Sequence, residues 1–412
     1  MTSRHLDLRL GAMPMRALLV AQFLSALADN ALLVAAIALM KALGQADHVS
    51  WVQTGFLVPF VLLAPYVGAV ADALPKGRVL LIGNTIKLLG TASMLLGLHP
   101  VWSYLLVGVG ATLYSPAKYG ILVQFFRPDR LVQANALLEG STILAILLGV
   151  VLGGWLTDRS VNLAMWVIVA IYAVAALTNL FIPRLHPVRV ERTHWHGWHL
   201  LRSFGRSLVV LWRDGAARAS LMGTSLFWGS GATLRLMLFA WVPLALHIRD
   251  NQTPANMMGI LSVGTIVGAM LAWRFIHMDR IRRAFVSGLM IGPCIALLAW
   301  QTRLPEAYVW SFALGVSGGV YVVPLNALLQ ERGRVSVGAG QALAVQNLFE
   351  NSMMIVMVTA YGFMTRWPVI DVIMGYGVAI LAGTGVLAVL AGRVLRRNAD
   401  TVGVESSDTG NN

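Results

Sequence analysis

Apolar residues in this chain run in blocks instead of alternating with polar ones. The first six blocks cover approximately 16–40, 51–71, 79–98, 101–124, 132–156 and 161–182. Six more follow at 219–246, 255–276, 284–300, 306–329, 338–365 and 371–393. A hydrocarbon layer about 30 Å thick needs about 20 apolar residues per helix, so the pattern predicts an all-α membrane protein with twelve transmembrane helices. Ala26-Leu27-Ala28 looks like a signal-peptidase site, but the apolar run continues to Met40, too far for a signal peptide. The first block therefore reads as the first span.

Between the two sets lies the longest connection, Arg184 to Arg218, with seven arginines, four histidines and two acids. It divides the chain into an N-terminal six-helix bundle (1–183), a basic cytoplasmic linker (184–218) and a C-terminal six-helix bundle (219–396). A disordered cytoplasmic tail (397–412) follows. The halves carry a weak internal repeat: Pro116 precedes Asn135-Ala-Leu by 19 residues, and Pro324 precedes Gln341-Ala-Leu by 17. Two pseudo-symmetric bundles follow from such a repeat. Aligning Phe23 with Phe227 puts Asp29 within two residues of the position equivalent to Arg235. An acid and a base are thus expected at similar depth in corresponding helices, where they attract one another in the empty protein.

Charge orients the spans. With both termini and the even-numbered loops assigned to the cytoplasm, 23 of the 31 Lys and Arg residues lie on that side and 5 on the other. The positive-inside rule therefore places both termini in the cytoplasm. The net charge of +13 reads as this topology and not as a nucleic-acid surface, because the basic residues are scattered between apolar blocks. Apolar residues make up 57% and charged residues 12%, which leaves too little polar surface for a soluble fold of this length. Cys294 is the only cysteine, so no internal disulfide forms. His194, His196 and His199 lack a carboxylate or cysteine to complete a ligand set, and neither a metal nor a cofactor is expected.

Six ionisable residues fall inside the spans: Asp29, Lys87, Lys118, Glu139, Arg235 and Glu350. Each costs roughly 2.5–3.5 kcal/mol at a helix centre, so each should face protein or a wet cavity. Gln22, Ser25 and Asp29 share a helical face bordered by Asn30, and Gln346, Asn347 and Asn351 stand at neighbour spacing to Glu350. These polar stripes read as a substrate site, with a buried ion-pair network as the plainer reading. Lys118 follows Pro116, which opens the helix locally, or snorkels to the interface. Glu139 reaches the interface in the same way, and Lys87 carries no assigned role. Gly149-x-x-x-Gly153 reads as close helix packing.

Between the second and third spans stands Gly68-x-x-x-Asp72, then Lys76-Gly77-Arg78. This resembles the loop signature of the major facilitator superfamily, although the spacing from Asp72 to Gly77 is about two residues too long. The resemblance implies a cytoplasmic latch built from Gly68, Asp72, Lys76 and Arg78. More specific are VAQFLSALADNALL, YSPAKYGIL, GTSLFWGSGATLR, VVPLNALLQERG and VGAGQALAVQNLFENS, which occur in order across almost the whole chain. Together they resemble the lysophospholipid transporter family of Gram-negative bacteria.

That resemblance implies a single-chain lipid cargo such as lysophosphatidylethanolamine, carried inward across the inner membrane for re-acylation by a separate acyltransferase. It implies that Asp29, Asn30, Lys118, Arg235 and Glu350 line the substrate site, to which the polar stripe around Glu350 adds Gln346. Arg235 or Lys118 would take the phosphate and an acid, Asp29 foremost, would take the ammonium. Because a lysolipid keeps its acyl chain in hydrocarbon while its head group seeks the polar interior, such cargo is expected to enter sideways, between spans five and eight or two and eleven. The alternative on the same fold is a cation-coupled multidrug antiporter, with Asp29 as a protonation site. A lipid acyltransferase is disfavoured, since no histidine has an aspartate five residues on.

Overall fold

A computed structural model describes residues 12–126, 128–183, 197–276 and 282–408, with a few side chains inside these helices left undescribed. Its helices are α1 (Met13–Ala42), α2 (Val49–Leu62), α3 (Ala64–Ala73), α4 (Lys76–Leu95), α5 (Pro100–Phe125), α6 (Pro128–Arg159) and α7 (Val161–Thr178). They continue with α8 (Gly197–Arg213), α9 (Gly215–Ala245), α10 (Gln252–Phe275), α11 (Arg282–Gly288), α12 (Ile291–Ala299), α13 (Leu304–Ser336), α14 (Ala339–Met364) and α15 (Val369–Asp408). No strand occurs among the described residues.

Every apolar block is helical, and seven helical stretches among the described residues are long and apolar enough to cross a membrane by themselves. Two of the twelve blocks are interrupted, each beside a proline. Block 51–71 breaks at Leu63, where Pro65 cannot donate to the carbonyl four residues back. Block 284–300 breaks between α11 and α12, just ahead of Pro293. Helix starts are fixed locally: the Asp214 carboxylate accepts from the backbone N–H groups of Ala216 and Ala217 at 2.8 and 3.1 Å, and Ser160 accepts from Leu163 at 3.3 Å. The end of α1 is closed by Gly44, whose φ of 72° lies in the left-handed region that glycine enters freely.

Packing divides the chain into two units. One comprises Met1–Ser203, Ile248–Gly259 and Val358–Arg366, and the other Phe204–His247, Ile260–Met357 and Trp367–Asn412. In the first unit α1 packs on α6 and α7, and α4 packs on α5 and α7. The α4–α5 contact is so close that a side chain on Gly110 would strike the Gly83 carbonyl oxygen, and one on Gly83 the Gly110 carbonyl oxygen. Gly149 and Gly153 lie against Leu27 and Ala31 of α1, which is the packing role their spacing predicts. In the second unit α9 packs on α13 and α15, α12 on α15, and Gly264 and Gly268 of α10 meet Gly315 and Gly319 of α13.

Two short pieces of the second half join the first unit for visible reasons. Asp158, at the end of α6, accepts from the backbone N–H groups of Asn251 and Gln252 at 2.6 and 2.9 Å and so caps the start of α10. Thr54 of α2 stands 3.2 Å from the Thr359 hydroxyl of α14, with Trp51 edge-on to Phe363. The connection expected as a linker contains a regular helix, α8. The last helix continues to Asp408, so helical backbone extends into the segment expected as a disordered tail.

Candidate functional site

In the first unit the polar face of α1 meets α4 and α7. Lys87 donates to Asp29 Oδ2 at 2.7 Å and to Ser25 Oγ at 2.9 Å, and the Tyr172 hydroxyl donates to Asp29 Oδ1 at 2.6 Å. Ser25 in turn donates to Asn84 Oδ1 at 2.7 Å. The Lys87 side chain is 3% exposed and that of Asp29 22%. Lys87 also lies 5.1 Å from the centre of the Tyr114 ring and 6.0 Å from that of Tyr172, where the aromatic faces stabilise its charge. One formal negative charge is thus matched by one positive charge inside the same unit.

Lys87 is the residue that sequence reasoning left without a role. The signal was present in outline: Asn84, Lys87 and Thr91 follow one another at three and four residues along α4, one face of a helix. What no single-helix pattern shows is that this face turns toward Asp29. Asn30, expected in the site, donates its side-chain amide to the Ala26 carbonyl at 2.8 Å. Gln22 reaches Thr142 of α6 at 3.0 Å.

Lys118 is buried, with its ammonium 4.8 Å from the Tyr119 ring centre. It stands four residues beyond Tyr114 on α5, about one turn from the Lys87 cluster. Two residues further on, a side chain at Gly120 would meet the Lys76 Cε and Nζ atoms at 3.0 and 3.1 Å. Lys76 therefore lays its stem along α5 and is itself buried, whereas Arg78 is exposed. The side chains of Gly68, Asp72 and Glu139 lie outside the described residues, as do His194 and His196.

The second unit holds a polar group of another kind. Gln346 donates its amide to Glu350 Oε1 and to Asn326 Oδ1, both at 2.7 Å, joining α13 to α14. Glu350 is 7% exposed, and the hydrogen bond it receives from Gln346 comes from a neutral donor. Arg235 is half-buried on α9, and earlier on the same helix the Ser230 carbonyl accepts from the Tyr376 hydroxyl at 3.3 Å. Among the described residues no His, Cys, Asp and Glu cluster could hold a metal ion.

Residues 18–358 match the Major Facilitator Superfamily. A protein of Serratia proteamaculans named lysophospholipid transporter LplT is 48% identical over 85% of this chain and 88% of its own length. One of the same name from Enterobacter is 46% identical over 93% of this chain and 97% of its own. This chain belongs to the lysophospholipid transporter family of the Major Facilitator Superfamily. Solved structures agree on the fold of this lysophospholipid transporter family member. A bacterial homologue of the human lysosomal transporter Spinster, inward-facing and unoccupied, superimposes with a TM-score of 0.67 at 14% identity over 94% of this chain and 98% of its own. A POT family transporter in complex with 5-aminolevulinic acid gives 0.73 at 11% identity over 92% and 96%. The chain is therefore a multi-pass membrane protein, and these curated relatives lend no support to the drug-antiporter reading.

Proposed function

We propose that the chain carries lysophospholipids, lysophosphatidylethanolamine among them, inward across the bacterial inner membrane. In this reading both termini lie in the cytoplasm, which the 23-to-5 distribution of basic residues supports. The chain performs no chemistry on its cargo and uses no cofactor, and a separate acyltransferase consumes the delivered lipid. The name shared by relatives that cover almost the whole chain supports the cargo class.

The observation that carries the head-group assignment is the unequal state of the two acids. Asp29 already has Lys87 at 2.7 Å, so an incoming ammonium must displace a bonded cation. Glu350 is deeply buried and meets a neutral amide, and a carboxylate in that setting gains most from an arriving cation. Glu350 therefore takes the ammonium first. Arg235 takes the phosphate, because a guanidinium offers paired donors that an ammonium lacks. Lys118 receives the phosphate nearer the cytoplasmic end, and Asp29, Asn30 and Gln346 complete the polar lining. Gly68, Asp72, Lys76 and Arg78 form the cytoplasmic latch.

Sideways entry requires the predicted seams to part. On the side with few basic residues, α6 holds α10 through Asp158, and α2 meets α14 through Thr54 and Thr359. Cysteine pairs in place of Asp158 and Gln252, and of Thr54 and Thr359, on a Cys294→Ala background, test this in proteoliposomes. Short cross-links at both seams should stop uptake of ethanolamine and glycerol lysolipids, and reduction should restore it. Full uptake with both links complete would remove lateral entry. Absence of any lysolipid uptake by the folded, unlinked protein would remove the function itself.

A further inference from the structure

The helix between the two sets of blocks, α8, has three stripes. Phe204, Ser207 and Leu211 are buried, and a side chain added at Gly333 would reach Leu211. Trp212 stacks on Phe349 of α14 with ring centres 5.4 Å apart and planes 12° from parallel, and Asp214 just beyond pairs with Arg332 at 3.8 Å. The helix is thereby fixed to the end of the second unit where α13 finishes and α9 begins. By the topology proposed above, on which this inference rests, that end is cytoplasmic.

The outward side is not uniformly polar. Leu201 and Trp212 are eleven residues apart, as are Trp198 and Val209, and as are Arg202 and Arg213. Eleven residues make three turns with a residual rotation of only about 20°, so each pair forms its own stripe along the helix. Arg206 falls within roughly 40° of the arginine stripe. Moving around the helix from the buried stripe, one meets Leu201 and Trp212, then Trp198 and Val209, then the three arginines. All seven are exposed, Trp198 at 71%, and α8 contains no acidic residue. A helix bathed by water alone does not gain from Trp198, Leu201 and Val209 exposed on one side. A helix lying at a bilayer surface does, with apolar residues in the acyl boundary and arginines among the head groups.

We propose that α8 lies in the interface of the cytoplasmic leaflet and binds anionic phospholipid head groups through Arg202, Arg206 and Arg213. The occupant is a resident lipid of the leaflet to which cargo is delivered, and the contact is separate from the candidate head-group residues. Charge complementarity selects the head group: three guanidiniums with no carboxylate on their helix attract anionic lipids over zwitterionic ones. The flanking Trp198, Leu201 and Val209 set the depth at which those guanidiniums stand.

The test uses the full chain on a Cys294→Ala background in nanodiscs of phosphatidylglycerol with phosphatidylethanolamine, or of phosphatidylcholine alone. An environment-sensitive fluorophore is placed by Leu201→Cys or by Arg206→Cys. The probe at 201 should be shifted to the blue and quenched by shallow nitroxide-labelled lipid, while the probe at 206 stays in a polar setting. Native mass spectrometry should find about fivefold fewer bound phosphatidylglycerol molecules on the Arg202→Gln/Arg206→Gln/Arg213→Gln variant, with its melting temperature unchanged. Equal lipid retention by that variant, or equally polar signals at 201 and 206, would overturn the proposal. A probe at 201 shielded to the same degree in detergent and bilayer, with no nitroxide quenching, would overturn it in favour of a protein cover. Labelling of the Arg206→Cys variant from outside intact cells by an impermeant maleimide would overturn the leaflet assignment and the topology beneath it. None of these readouts depends on lysolipid transport, so failure here and failure of the transport reading remain distinguishable.

Discussion

Two carboxylates, one in each unit, are held in opposite ways: Asp29 is partly buried and Glu350 buried. Asp29 has an ammonium and a phenol at hydrogen-bond distance, and its cluster extends through Ser25 to Asn84 across α1 and α4. Glu350 is more deeply buried, and the amide that reaches it is shared with Asn326. A charge-matched pair lowers the cost of keeping either ion out of water, and removing one partner leaves the other stranded. A carboxylate held by an amide keeps most of its attraction for a cation that has yet to arrive. The first arrangement ties helices of one bundle together, and the second, in the function proposed above, reads the cargo's ammonium.

The largest effect should come from breaking the first arrangement. Lys87→Ala leaves the partly buried Asp29 carboxylate without its cation and should destabilise the protein by about 2–3 kcal/mol, below the cost of breaking a fully buried pair. Adding Asp29→Asn to that variant should restore most of the lost melting temperature. If Lys87→Ala alone melts like the parent, charge matching is not what Lys87 provides. Next in size is Arg235→Ala, which should lower uptake of every phosphate-bearing lysolipid at least about 100-fold in protein whose folding is checked by thermal melting. Arg235→Lys should recover only part of the loss, since it keeps the charge but not the paired donors. Normal transport by a folded Arg235→Ala protein would exclude it from the site.

Glu350→Gln sharpens the contrast between the acids. It keeps shape and removes the charge, so folding should be unaffected, whereas initial uptake of the ethanolamine lysolipid should fall about tenfold, or about 1.4 kcal/mol. The glycerol lysolipid, which has no ammonium, should change less than about twofold. Equal losses for both lipids would show that Glu350 does not read the ammonium. The smallest effect is expected from Tyr172→Phe. It deletes one donor to Asp29 while Lys87 retains the other oxygen, and should cost about 1 kcal/mol in stability with little change in selectivity between the lipids. A loss as large as that of Lys87→Ala would make the phenol, not the ammonium, the principal partner of Asp29.

The helical blocks were legible because a membrane forces backbone polar groups to pair within each segment, and the length of an apolar run then fixes the element. Interruptions at Leu63 and ahead of Pro293 were harder to read, since a proline can kink a span without ending it. Asp29 and Glu350 stood out because a charge in an apolar run is costly wherever it points. Lys87 stood out equally as a charge, yet its partner depends on the rotation of α4 about its own axis. Rotation is set by side chains meeting across helices, and by close approaches such as Gly83 against Gly110, and not by periodicity within one helix. The amphipathic order of α8 was present at 197–213, but its arginines had been counted for topology, and a count discards the angle at which each residue leaves the helix.

The close glycine contacts between α4 and α5 carry a mechanical consequence. Backbones that touch at Gly83, Gly90 and Gly110 leave no soft layer of side chains to shear, so this pair resists sliding much as two meshed gears do. Lys87 is mounted on one member of that pair and Tyr114 on the other. Whatever rotation the transport cycle imposes, the ammonium and the ring beside it should travel together as one stiff part. In that unit, compliance should fall instead where a helix is already interrupted, as at Leu63.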